Sequence, residues 1–315
     1  MARDVLLNYV LKAQAVEPIA PASSAYLHNV LVVAKLKDSA DAGIYEITTS
    51  AGIQDYTDAT GISSLFDAGM TKIYLAAVEN YTDAQTLIDA TNYKFFTILI
   101  DPAFEFDAIP TAITGFEGVV GWATSNSALA QQFQAVATAN NTAFVEQAGT
   151  TGANMYYAFG MLLSGAKWRN QQYIGMPAQG ATSNLGTAET YFDNRLSFVL
   201  NSEEFGNRLA FFVNRGRAIV APYIYEEFTL DLQSWALTYI NANMPDYNDV
   251  EAVKLQSHLL KKANAKYVDG GMVTQVAIAI TADQNNFVMS GNIGIAEPKA
   301  TWRIKAQIQQ GGLNE

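Results

Sequence analysis

Five short apolar runs, interleaved with stretches of helical periodicity, constrain this chain more than any other feature. They are "YLHNVLVVAKLK", centred on Val30 to Val33, then "KIYLAAV", "KFFTILID", "GVVGWATS" and "TAFVEQA". Apolar runs of this length read as strands. "TGISSLFDAGM" reads as a helix closing on Gly69, which suits a C-cap. "YTDAQTLIDATN" reads as a helix with a capping box, Thr82 facing Gln85. "NSALAQQFQAVATANN" and "GANMYYAFGMLLSG" supply two more helices. Strands alternating with helices predict βαβ units and a mainly parallel sheet flanked by helices, the α/β class.

The second half reads as α+β. "NRLAFFVNRGRAIVAPYIYEE" predicts two strands across a tight "NRGR" turn, with Gly216 free to take positive φ. A helix through "LDLQSWALTYINANMP" follows. A second starts at Asn248, with Glu251 three residues on, and runs to the Gly pair of "KYVDGG". "GMVTQVAIAIT" and "NNFVMSGNIGIAEP" then predict strands. The expected organisation is an N-terminal arm and linker (1–24), an α/β portion (25–180), an α+β portion (181–298) and a C-terminal arm strand (299–315). The two middle portions can form one domain, since later strands can continue an open sheet.

Both ends look alike. Val5, Leu7, Tyr9 and Leu11 fall on one face of a short apolar stretch, and Pro18 and Pro21 break it into an extended linker. At the other end Trp302, Ile304, Ala306 and Ile308 alternate with Arg303, Lys305, Gln307 and Gln309, the period of a strand with one wet face. A terminal strand needs partners for its backbone. Either it pairs beside "NNFVMSGNIGIA", or it crosses to another subunit and extends that subunit's sheet. Two such arms on one core link copies head to tail, and a contact of that kind that does not close makes a helical filament.

The chemistry is sparse. No phosphate loop, dinucleotide fingerprint or nucleophile elbow is present. The chain has no cysteine and only two histidines, His28 and His258, which read as structural or surface residues. "DYTDATG" lacks the carboxylate spacing of a calcium loop, so Asp58 or Thr60 reads as a helix N-cap. The pairs Glu203–Glu204 and Glu226–Glu227, read as strand neighbours, point to opposite faces and suit solvent or ion pairs with a neighbouring chain. No catalytic, cofactor or metal site is expected. The net charge of −11, from 19 basic and 30 acidic residues, argues against a nucleic-acid partner. The N-terminus is a poor signal peptide and no apolar stretch is long enough to insert into a membrane.

"YFDNRLSFVLN", "FGNRLAFF", "GRAIVAPYI" and the run from "KLQSHLLKKANAKYVDGG" to "TWRIKAQI" resemble the tail sheath proteins of contractile-tail bacteriophages. The resemblance covers most of the chain. It implies a non-enzymatic virion subunit, reduced to the core and its arms and assembled in the host cytoplasm. Copies would stack helically around a tail tube protein and meet baseplate and tail terminator proteins. The arms at Val5–Leu11 and Trp302–Ile308 would be exchanged between subunits. The linkers at Pro18, Pro21 and Pro298 would serve as hinges during contraction. A different reading places a small-molecule or enzymatic site beyond the carboxyl ends of the parallel strands, at Asp101, Ser125 and Asn126. A third, another structural assembly protein such as a surface-layer or tail-tube subunit, fits less well, because the helices at 127–139 and 249–267 are foreign to a β-rich tube.

Overall fold

A computed structural model describes residues 24–104, 116, 118–135, 140–146, 151–165, 168, 175–176, 185–202, 206–214, 217–243, 245–246, 248–283 and 288–296. Six strands form the main sheet: β1 (Val30–Lys35), β2 (Gly43–Ile47), β3 (Ile73–Val78), β4 (Thr97–Ile100), β5 (Val119–Thr124) and β6 (Asn140–Val145). Their order is β2-β3-β1-β4-β5-β6. All neighbours are parallel except β2, which runs antiparallel to β3. The expected α/β class and mainly parallel sheet are therefore present.

Alternate residues of the central strands face opposite ways, and both sets are buried. Val30, Val32, Leu75, Leu99 and Val119 join one core with α4 (Ala153–Ser164), α6 (Ala221–Asn243) and α7 (Asp249–Ala263). Leu31, Val33, Ala76, Ile98 and Val120 join another with α2 (Asp83–Ala90) and α3 (Ser127–Ala135). Burial on both faces is why these strands read as continuous apolar runs. At the β6 edge the ladder continues through one bridge: Ser197 N–H donates to Ala143 O, and Val145 N–H donates to Ser197 O. There the chain leaves α5 (Leu185–Asp193) and enters the hairpin of β7 (Phe198–Ser202) and β8 (Gly206–Phe211).

Four local expectations are corrected. The "NRGR" hairpin exists, but its strands β9 (Val213–Asn214) and β10 (Arg217–Ala218) are two residues each. "APYIYEE" is the start of α6, not a strand. Pro222 lies in the first turn, where a missing N–H costs nothing, and Ile224, Phe228, Leu232 and Ala236 form a buried i+4 stripe. Thr82 makes no cap; instead Asp83 Oδ2 accepts from Asn80 N–H, and Gln85 donates to Asp89. Neither Asp58 nor Thr60 caps a helix; Ala59 precedes the 3-10 turn Thr60–Ser63, which leads into the single turn α1 (Ser64–Asp67). β2, half-buried at the sheet edge, had no matching prediction.

The cap at α7 is as read: Asn248 Oδ1 accepts from Glu251 N–H at 2.9 Å. The helix ends in a π turn, Asn264–Val268, and Gly271 at φ +73° turns the chain into β11 (Gln275–Asp283). β11 pairs antiparallel with β12 (Val288–Ala296). Met272, Val273, Val276 and Ile280 share the core that holds Leu27 and Val30.

One close approach fixes α4 against α1. A Cβ on Gly160 would lie 2.7 Å from Ala68 Cβ and 3.0 Å from Leu65 O. Gly160→Val is expected to destabilise the fold by about 1–3 kcal/mol through overpacking. A urea midpoint equal to wild type would contradict that contact.

Candidate assembly surface

The two places where chain ends leave the described core are built differently. At the N-terminal side, Ser24–His28 forms one 3-10 turn. Leu27 is fully buried. His28 Nδ1 lies 2.7 Å from Leu163 O, and a carbonyl only accepts, so this nitrogen carries a proton. The His28 ring stacks on Trp168 at 4.7 Å, and Trp168 stacks on Tyr223 at the same distance. Tyr223 hydroxyl and Thr97 Oγ1 are 2.6 Å apart. Tyr26 hydroxyl donates to Glu226 Oε1 at 2.6 Å. A run of aromatic rings thus pins residue 24 onward to β4, α4 and α6.

At the C-terminal side, the hairpin β11–β12 carries nine paired positions, from Gln275↔Ala296 to Asp283↔Val288. Val276, Ile278 and Ile280 are buried, while Ala277, Ala279 and Thr281 are exposed. The outer edge of β11 is stopped at one point: Ile280 N–H donates to Gln256 Oε1 of α7 at 3.0 Å. Among the described residues β12 pairs only with β11. A two-stranded hairpin with an open edge is a template for a further strand.

α6 links these two regions. Glu227 Oε1, next to Glu226, and Asp231 Oδ2, one turn further on, accept from Lys266 Nζ at 2.8 and 2.5 Å. Tyr267 hydroxyl donates to Asp231 Oδ2 at 2.6 Å, and its ring meets Phe228 edge-on at 5.0 Å. Glu226 and Glu227 therefore lie on a helix with partners inside the chain, not on a strand awaiting a neighbour. Burial alone would lower the Lys266 ammonium, but its hydrogen bonds to Asp231 and Glu227, with their charges, outweigh that and raise it. Burial, with Asp231 second, pushes the Tyr267 hydroxyl well above its ordinary value.

The predicted arm residues Val5, Leu7, Tyr9, Leu11, Trp302, Ile304, Ala306 and Ile308 lie outside the described residues, as do the hinges Pro18, Pro21 and Pro298 and the pair Glu203–Glu204. His28, Glu226, Glu227, Asp231 and Lys266 carry no motif that marks them as a link. Their contacts span 35 residues or more.

A cleft of about 470 Å³ opens where β1 and β4 end, lined by Lys35, Lys37, Thr57, Asp58, Asp101 and Thr151 among others. That is the crevice where doubly wound sheets hold ligands. Here the buried carboxylate of its lining, Asp101, and the neighbouring Glu146 are engaged internally. Asp101 Oδ1 accepts from Ala103 N–H at 2.6 Å and Oδ2 from Tyr156 hydroxyl at 3.3 Å. Burial raises the Asp101 carboxyl. Glu146 Oε1 accepts from Met155 N–H in the first turn of α4, where a ligand phosphate would otherwise sit. Asn126 caps α3, accepting from Ala128 and Leu129 N–H, and Ser125 is exposed beside it. His258 packs on Tyr239 of α6 at 5.0 Å. Among the described residues no cluster of three His, Asp or Glu is placed to hold a metal, and no helix is long and apolar enough to cross a membrane.

The core is a doubly wound α/β sheet with a cleft at its carboxyl end, followed by an α+β portion whose last strand, β12, pairs among the described residues only with β11. No protein-family pattern matches the sequence, and neither does any curated protein sequence. Solved structures do share the fold. A chain of the anti-feeding prophage baseplate aligns with a TM-score of 0.63 at 11% identity, over 96% of this chain and 98% of that one. The helical sheath of the same prophage in the contracted state aligns at 0.59 and 11%, over 95% and 97%. The sheath tail protein from Desulfitobacterium hafniense aligns at 0.52 and 9%, over 91% and 100%. These structural neighbours are sheath and baseplate chains of contractile, phage-like tails.

The link predicts a pH profile. The Tyr156, Tyr223 and Tyr267 hydroxyls are all raised, chiefly by burial, and the Lys266 ammonium is raised by its carboxylates. Groups raised on folding stabilise below their unfolded values, about 10 for Tyr and about 10.4 for Lys, and lose that contribution as pH climbs above them. Unfolding free energy should hold between about pH 7 and 9 and fall by about pH 11. Asp231→Asn should cost about 1–3 kcal/mol at neutral pH by stripping a partner from two donors. It should also shrink the alkaline drop. Urea titrations of both proteins measure this, and an equal drop in the variant would remove Asp231 from the link.

Proposed function

We propose that this chain is a structural subunit of a contractile tail sheath. It polymerises helically around a tail tube and contracts to drive the tube through a host envelope. The observation that carries this reading is the whole-chain likeness: the fold matches a contracted helical sheath chain over 95% of this chain and 97% of the other. The charge of −11 and the internally engaged Asp101 and Glu146 are in keeping with a protein that works by contact rather than catalysis.

Copies join by exchange of terminal strands. The segments Val5–Leu11 and Trp302–Ile308 of neighbouring copies add to the β11–β12 hairpin of a third, extending a two-stranded sheet that is marginal alone. That β12 pairs, among the described residues, only with β11 supports this choice of receiver. The linkers at Pro18, Pro21 and Pro298 act as hinges while the core moves as a body. The partners are other copies of the chain, a tail tube protein, and baseplate and terminator proteins. Assembly takes place in the host cytoplasm, and the subunit ends in the virion.

Negative-stain electron microscopy of the full chain beside a version lacking residues 303–315 tests this. Long striated hollow tubes are expected from the full chain, and folded particles without tubes from the truncation. Tubes from both would sink strand exchange by the C-terminal arm. Monodisperse particles from both would sink the sheath reading and bring the crevice near Asp101 forward as a ligand site.

A further inference from the structure

We infer that a second contact between copies, independent of strand exchange, joins the exposed stripe of α7 on one subunit to the acidic segment 38–67 of another. It rests on the sheath reading for the second copy.

The stripe is an unpartnered helix face. At 100° per residue, Val250, Val253, Ser257 and Lys261 fall on one side of α7 over about 16 Å. All four are exposed. Val250 is 64% and Val253 58% exposed, and among the described residues Tyr93 is the only other large apolar side chain so exposed. Lys254, on the same side, is held by Glu251 at 2.6 Å. Lys261 and Lys262 have no carboxylate at ion-pair distance among the described residues. Lysines in a last helical turn are favoured by the helix dipole. That accounts for the lysines, but not for two valines left in water on the same side.

The complementary surface lies at the β2 edge. Between residues 38 and 67 there are six carboxylates, Asp38, Asp41, Glu46, Asp55, Asp58 and Asp67, and no basic residue. All six are exposed. Among the described residues only Glu46 and Asp58 have a lysine in reach, Lys72 at 3.5 Å and Lys37 at 3.7 Å. β2 and the following 3-10 turn, Ser50–Asp55, are tied together by Tyr45 stacked on Tyr56 at 3.8 Å. Ile44 and Tyr45 are half-buried on opposite faces of β2, so each face of that edge carries some apolar surface beside its charges. A basic, valine-bearing helix and an acidic edge on one chain are complementary between copies, and a head-to-tail repeat lets every copy use both.

Two charge-reversed full-length chains test this, Lys261→Glu with Lys262→Glu, and Asp41→Lys with Asp55→Lys, beside a chain carrying all four changes. The readout is the critical concentration for tube formation by sedimentation near 0.1 M salt. Thermal melts by circular dichroism check that each chain folds. Each one-sided variant is expected to raise that concentration about tenfold, and the four-fold variant to return to within about threefold of wild type. Val250→Ser with Val253→Ser, which changes no charge, is expected to raise it as well. Unchanged assembly in the one-sided variants, or loss without recovery in the combined chain, overturns the contact. If wild type forms no tubes, the sheath reading fails separately. The same chains are then compared by sedimentation velocity, where absence of charge-swap rescue overturns the inference.

Discussion

Everything in this fold follows from burying the central strands on both faces. β1, β3, β4 and β5 carry apolar side chains up and down, so neither face tolerates water, and helices are required on each. α2 and α3 cover one face. The other takes α4, which comes so close that a Cβ on Gly121 of β5 would sit 2.8 Å from the Phe159 ring. α6 lies over the rest of that face through Tyr223, Phe228 and Leu232. α6 therefore comes from the second half of the chain to complete the core of the first.

That dependence explains what the sequence disclosed. Strands whose burial is continuous were legible, because their pattern does not depend on what covers them. β2 was not, since an edge strand with a half-buried pattern gives no clear period. The first turn of α6 was mistaken for a strand because Tyr223 and Tyr225 flank Ile224 with a false period of two, whereas the informative spacing is Ile224 to Phe228 to Leu232. The Asn248 cap was legible because it involves atoms three residues apart. Tyr26 with Glu226, 200 residues apart, leaves no local mark at all. The arm residues were chosen by period alone, and they lie outside the described residues.

The crevice at the ends of β1 and β4 shows how little a fold says about chemistry. Its position is the one where related topologies hold nucleotides. Yet Glu146 occupies the first turn of α4, and Asp101 is satisfied by Ala103 and Tyr156. Carboxylates that serve as catalysts elsewhere act here as internal fasteners. A sheet architecture built around a ligand site can thus be kept as a rigid block.

The placement of Glu226, Glu227 and Asp231 on adjacent turns of one helix has a mechanical meaning. Glu226 holds Tyr26, at the root of the N-terminal segment. Glu227 and Asp231 hold Lys266 and Tyr267, which lead within ten residues to the hairpin. One helix thus joins the turn that leads into β1 to the turn that leads into β11, alongside the covalent path through the six-stranded sheet.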